Sequence, residues 1–148
     1  MKINKKGVTL IELLVVFAII AIGAVLAVPN LGPWIANYRL RSATRDITST
    51  LRVAQMRAVS NNLDYQVLFD GVARTYILQR NTGGLWVDEG AAQTLPTGIS
   101  IISNTFSTAK ALFSPNSSSN GGKIILENSK KTQRTITVLP STGRITNQ

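Results

Sequence analysis

A single acid inside the chain's one long apolar run constrains this sequence more than any other feature. The run follows Lys5-Lys6-Gly7, opens as Val8-Thr9-Leu10-Ile11-Glu12, and continues uncharged and mostly aliphatic to Val28. Residues 8 to 28 supply the roughly 20 residues that a helix needs to cross a bilayer. Lys2, Lys5 and Lys6 precede them, so the positive-inside bias puts the N-terminus in the cytoplasm and the rest of the chain outside. A carboxylate at membrane depth costs about 2.5–3.5 kcal/mol on insertion scales, which marks Glu12 as a functional residue in need of a partner. Two plainer readings compete. A secretory signal peptide has a similar basic start, and Val25-Leu26-Ala27 could serve as its cut, but its apolar region is usually about 7–15 residues and would carry Glu12 to no benefit. A simple membrane anchor is the other.

What remains after the apolar run is a little over 100 residues, one domain's worth of chain. There is no cysteine to staple it, so packing alone must hold it. There is no histidine either, which removes the commonest general base, the commonest metal ligand and every Ser-His or Cys-His nucleophile. An enzyme is therefore disfavoured, and neither a metal nor a cofactor is expected. Asp88-Glu89 is an isolated acidic pair that reads as a solvated turn. The run Ser114-Pro115-Asn116-Ser117-Ser118-Ser119-Asn120-Gly121-Gly122 lacks the Gly-Lys-Ser/Thr that a phosphate-cradling loop needs, and reads as a flexible surface loop.

The organisation is α+β: a long N-terminal helix, transmembrane in its first half, packed against antiparallel β-sheets. Gly23, Pro29, Gly32 and Pro33 form a weak zone in that helix. Beyond it Leu40, Ile47, Leu51, Ala54 and Ala58 share one face, Arg41, Arg45 and Arg52 another, and Asn61-Asn62 ends the helix. The pattern then changes to alternation. Residues 65–69 and 75–79 read as a hairpin across Asp70-Gly71, Asn81-Thr82-Gly83-Gly84 turns into 85–87, and 99–102 is a short strand. Residues 123–127 and 134–139 form a last hairpin across 128–133. The segments are thus 1–7, 8–28, 29–62 and 63–148.

A basic stretch ending in Gly7, with an acid five residues beyond it and an uninterrupted apolar helix, resembles the class III leader of type IV pilins and pseudopilins. The resemblance implies cleavage between Gly7 and Val8 by a membrane peptidase that also methylates the new N-terminus. It further implies that Glu12 pairs with the terminal amine of a neighbouring subunit, here that of Val8, during filament assembly. Residues 51–62, Phe113-Ser114-Pro115 with its Gly-rich loop, and Gly143-Arg144 resemble the pseudopilin H and FimT-type minor pilin group. That group implies a non-enzymatic subunit near the tip of a type IV pilus or of a type II secretion pseudopilus. Other pilins or pseudopilins, the prepilin peptidase/N-methyltransferase and the inner-membrane assembly platform would be its partners. It would sit in the inner membrane as a single-pass protein with its globular domain in the periplasm, then move into the filament.

Charge supplies an alternative. The chain has 16 basic and 7 acidic residues, and loss of the leader lysines leaves 13 against 7, a net of +6. An exported basic surface attracts nucleic acid, anionic lipid or polysaccharide. Some FimT-type pilins bind double-stranded DNA in natural transformation through a C-terminal Gly-Arg-x-Arg motif, and this chain has Gly143-Arg144-Ile145-Thr146, with Thr146 in place of the second arginine. Arg144, with Lys130, Lys131 and Arg134 at the last hairpin, are the candidate DNA-binding residues. A lysine-rich hairpin tip is also an ordinary solvated turn. Trp34 and Tyr38 suit an interfacial belt, with Arg39, Arg41 and Arg45 beside them able to meet lipid head groups or a neighbouring subunit.

Overall fold

A computed structural model describes residues 7–27 and 31–148. Lys2, Lys5, Lys6, Val28 and Pro29 lie outside the described residues. The chain divides into two compact units, Met1–Ile35 and Ala36–Gln148.

The first unit is dominated by α1 (Leu10–Ala27), apolar all round except for Glu12 in its first turn. Its 18 residues rise about 27 Å, just short of the roughly 30 Å hydrocarbon core. Among the described residues, no helix is long and apolar enough to cross a membrane. The sequence expectation of a span runs through Val28, beyond the end of α1. Of the predicted weak zone, Gly23 lies inside α1, while Gly32 and Pro33 fall in the first turn of α2 (Leu31–Asn61). A proline costs little there, because first-turn N–H groups have no helical acceptor.

From Ala36 onward α2 buries one face. Leu40, Ile47, Leu51, Ala54 and Ala58 are buried as their spacing predicts, joined by Ala36 and Ala43. Thr44 and Thr48 are buried too, their hydroxyls donating to the carbonyls of Leu40 and Thr44 at 2.7 Å. The helix stops where the two asparagines suggest. Asn62 takes φ 54°, and the Leu63 N–H donates to the Ala58 carbonyl at 3.3 Å, a left-handed cap that satisfies an otherwise orphaned acceptor.

Two antiparallel sheets pack with α2 around one core. The first, in order β3-β2-β1-β6 with β4 also on β2, comprises β1 (Tyr65–Asp70), β2 (Thr75–Thr82), β3 (Leu85–Asp88), β4 (Gln93–Thr94) and β6 (Lys110–Phe113). The second, in order β5-β7-β8-β9, comprises β5 (Ile99–Asn104), β7 (Gly122–Asn128), β8 (Gln133–Val138) and β9 (Ile145–Asn147). Tyr65, Val67, Phe69, Phe113, Ile124, Leu126, Ile136 and Val138 meet Leu40, Ile47 and Leu51 in that core. Phe69 stacks on Phe106 with ring centroids 6.2 Å apart. The α+β class and its antiparallel hairpins are therefore as the sequence indicates.

Several local expectations are corrected. Asp70-Gly71 is not a two-residue turn: Asp70 pairs with Thr75, its carboxylate accepts the N–H groups of Val72 and Ala73 at 2.8 Å, and the positive φ falls on Arg74. The Asp side chain has captured the backbone of a longer loop. The tight turn is instead Gly83-Gly84, both at positive φ between the paired Thr82 and Leu85. The serine-rich loop, expected as a surface loop, is hydrogen-bonded to the elements around it. Ser114 N–H donates to the Ser118 carbonyl, Ser119 N–H to that of Pro140, and Asn120 bonds both Lys110 and Leu112 across the sheet edge. Its polarity serves hydrogen bonds to neighbouring backbone, and composition alone cannot show that. Beyond the last hairpin that the sequence indicates, Ile145–Asn147 adds β9 to the edge of β8, which places Arg144 in a β8–β9 turn.

Candidate functional site

At the start of the first unit, Gly7 and Val8 precede the helix and both are exposed, with open space around the Gly7 Cα. Thr9 caps α1: its Oγ1 accepts the Glu12 N–H at 3.3 Å, and its carbonyl accepts that of Leu13 at 3.2 Å. Thr9-Leu10-Ile11-Glu12 is the threonine-x-x-glutamate pattern of a helix start, a signal that sequence reasoning focused on the leader passed over. Glu12 also lies where a helix N-terminus favours negative charge. Among the described residues no cation pairs with it. From Leu10 to Ile22 every large apolar side chain is at least half exposed, Leu10 reaching 81%. A helix apolar on every side is built to be surrounded by lipid or by other helices.

In the second unit the four candidate DNA-binding residues are not brought together. Lys130 and Lys131 occupy the β7–β8 turn, and the Lys131 Nζ lies 2.9 Å from the Glu127 carboxylate. Arg144 is exposed in the β8–β9 turn at the other end of β8, six residues or about 20 Å away along the strand. Gln133 and Lys131 both donate to Glu127, and these bonds hold its carboxyl below the usual value. Gly143 is buried at φ 59°, and a Cβ there would meet the Ser117 carbonyl oxygen at 2.4 Å and the Gln55 amide nitrogen at 2.6 Å. The Gln55 amide donates to the carbonyls of Thr142 at 3.2 Å and Ser117 at 3.4 Å, pinning this turn to α2. The glycine of the motif-like stretch is thus fixed by packing.

Arg134 instead turns toward α2. With Arg41, Thr44, Arg45 and Asn147 it lines a cavity of about 190 Å³. A second cavity of about 180 Å³ is lined by Arg45, Thr48, Ser49, Arg52 and Asn147. Arg41 and Arg45 are one helical turn apart and Arg52 two turns beyond, so one face of α2 carries all three. No acid lines either cavity. The sequence placed these arginines on one face; it gave no signal that Arg134 and Asn147 close the far wall.

Asp88-Glu89 is also not a solvated turn. Glu89 is 17% exposed and accepts from Arg57 of α2 and, at 3.2 Å, from the Tyr65 hydroxyl, with Arg80 at 3.7 Å. It fastens the loop after β3 to the end of α2. Among the described residues, no group of three or more acids, histidines or cysteines could hold a metal ion.

Residues 2–28 match the family pattern described as the prokaryotic N-terminal methylation motif. No curated protein matches the chain. Among solved structures the chain is similar to the minor pseudopilin EpsH from the Type 2 Secretion System of Vibrio cholerae, at 11% identity and a TM-score of 0.62, covering 74% of this chain and 96% of that one. It is likewise similar to the type IV minor pilin FimU of Pseudomonas aeruginosa, at 13% identity and a TM-score of 0.63, covering 78% of this chain and 92% of that one.

Proposed function

We propose that this chain, a type IV pilin-like protein by its methylation motif and its fold, is a minor pilin or pseudopilin assembled near the tip of a type IV pilus or type II secretion pseudopilus. It is a structural subunit, not an enzyme. The observation that carries the reading is α1, apolar all round apart from Glu12 and exposed at every large apolar side chain from Leu10 to Ile22, with no cation paired to that acid among the described residues. Cleavage behind Gly7 by the prepilin peptidase makes the Val8 amine a cation. As one helix, residues 8 to 28 would reach about 31 Å, enough to cross the inner membrane once and leave the β-rich domain in the periplasm. Transfer from lipid to a bundle of other subunits' helices exchanges one apolar surrounding for another, so it yields little net hydrophobic gain. Register then comes from charge: Glu12 of one subunit pairs with the Val8 amine of the next, since an unpaired charge in that core is expensive.

The test is Glu12→Ala in the native host. Processing and membrane insertion should be retained and incorporation into filaments should fall sharply, whereas normal incorporation refutes the pairing. Blocking Gly7 with a bulky residue should leave unprocessed precursor. A mature N-terminus found at Val28 would establish a signal peptide instead. A second reading, a DNA-binding minor pilin of natural transformation, is favoured by the arginines of α2 and β8 that face one another without an acid between them.

A further inference from the structure

The two arginine cavities share Arg45 and Asn147 and so form one trough. Arg41, Arg45 and Arg52 line its helical side over about 16 Å, and Arg134 faces them from β8. Arginines packed this closely repel one another, and surface clusters normally offset that with interleaved acids. Here the acid nearest in sequence, Asp46, is taken by the Ser42 hydroxyl at 3.4 Å and lies within electrostatic reach of Tyr76. Among the described residues, the ion pairs involve Arg57, Arg80 and Lys131, and none of the trough arginines. The Thr44 and Thr48 hydroxyls are spent on their own helix. Guanidinium groups and the Asn147 amide are left to meet a ligand.

We propose that this trough is a phosphate-backbone site, seating successive phosphodiesters of a nucleic acid strand without regard to base sequence. Guanidinium forks match phosphate oxygens two at a time, and a row of them suits a repeating anion better than a single one. An acidic protein segment fits the charge but not the walls. Protein interfaces are anchored by aromatic or aliphatic side chains at their centre, and no aliphatic or aromatic residue lines either cavity. Nucleic acid interfaces are the more polar and more positively charged kind. With no ring to stack on a base, binding is sequence-independent and set by salt. The site deepens the DNA-binding reading above and moves it off Arg144, Lys130 and Lys131; filament membership is not needed for it.

Fluorescence anisotropy of the full chain in non-ionic micelles, with a short labelled duplex of mixed sequence, tests it. Binding at about 50 mM salt should weaken at least about tenfold in the Arg45→Gln/Arg134→Gln double variant, and the slope of log K against log salt should fall by about 2. The Arg45→Lys/Arg134→Lys variant keeps the charge and should keep most of the slope. Arg144→Gln and Lys130→Gln/Lys131→Gln should change affinity by less than about threefold. Near-UV circular dichroism matching the parent excludes unfolding as the cause. If Arg144, Lys130 and Lys131 carry the affinity instead, DNA capture stands and the trough is refuted. No duplex binding at low salt overturns both. Arginine-dependent retention of poly-glutamate without duplex binding assigns the trough to an acidic protein partner and overturns the proposal.

Discussion

Replacing Gly143 by alanine is the sharpest probe of how the second unit is closed. The substitution carries two costs. Holding an L-residue at φ 59° costs about 1–2 kcal/mol relative to glycine. The new Cβ would also stand 2.4 Å from the Ser117 carbonyl oxygen and 2.6 Å from the Gln55 amide nitrogen, closer than real Cβ contacts come. Gln55 is a side chain and can withdraw, at the cost of its bonds to Thr142 and Ser117. Ser117 presents backbone, in a loop whose Ser114, Ser118 and Ser119 are already hydrogen-bonded, so either that loop or the β8–β9 turn must shift. With about 0.5–1.5 kcal/mol for each of the two hydrogen bonds lost, the expected destabilisation is about 2–5 kcal/mol. Urea denaturation of the full chain in micelles, followed by near-UV circular dichroism, reads it directly. The same change made on a Gln55→Ala background should still cost about 1–3 kcal/mol, because the backbone clash survives. A Gly143→Ala variant within about 0.5 kcal/mol of the parent would refute the assignment of this glycine to packing.

Glu89→Ala should destabilise by about 1–2 kcal/mol, since it leaves the Tyr65 hydroxyl proton without an acceptor, Asn61 still donating to that oxygen at 2.7 Å, and frees two guanidinium groups that are nearly half exposed and so contribute modestly. Glu89→Gln, which can still accept from Tyr65, should recover part of that loss in the same denaturation assay. Glu127 is held ionised below its ordinary value by the Gln133 amide and then by Lys131, so its contribution is fully present above about pH 4.5 and is lost as pH falls through the lowered folded value. Denaturation midpoints measured between about pH 3 and 6 should therefore fall less steeply in Gln133→Ala than in the parent, and identical profiles would contradict the assignment.

How much could be read in advance depended on whether a feature was local. The helical face from Leu40 to Ala58, its end at Asn61-Asn62 and the hairpins of β1–β2 and β7–β8 were legible, because hydrophobic period and capping chemistry are written in consecutive residues. Strands β4, β6 and β9 were not, since each is only two to four residues long and owes its conformation to the strand it pairs with. The hydrogen bonds of the serine-rich loop were not legible for the same reason: polarity shows a capacity for hydrogen bonds but not which groups will accept them.

The sequence by itself determined the apolar helix, the acid within it and the glycine before it, all properties of residue type and spacing along one segment. Tertiary structure alone decided the basic surface. It buried Gly143 against Gln55 and Ser117, and folded Arg134 across from Arg41, Arg45 and Arg52. Charges act through space over a few ångströms, and chain separation says little about which of them the sheet register brings face to face.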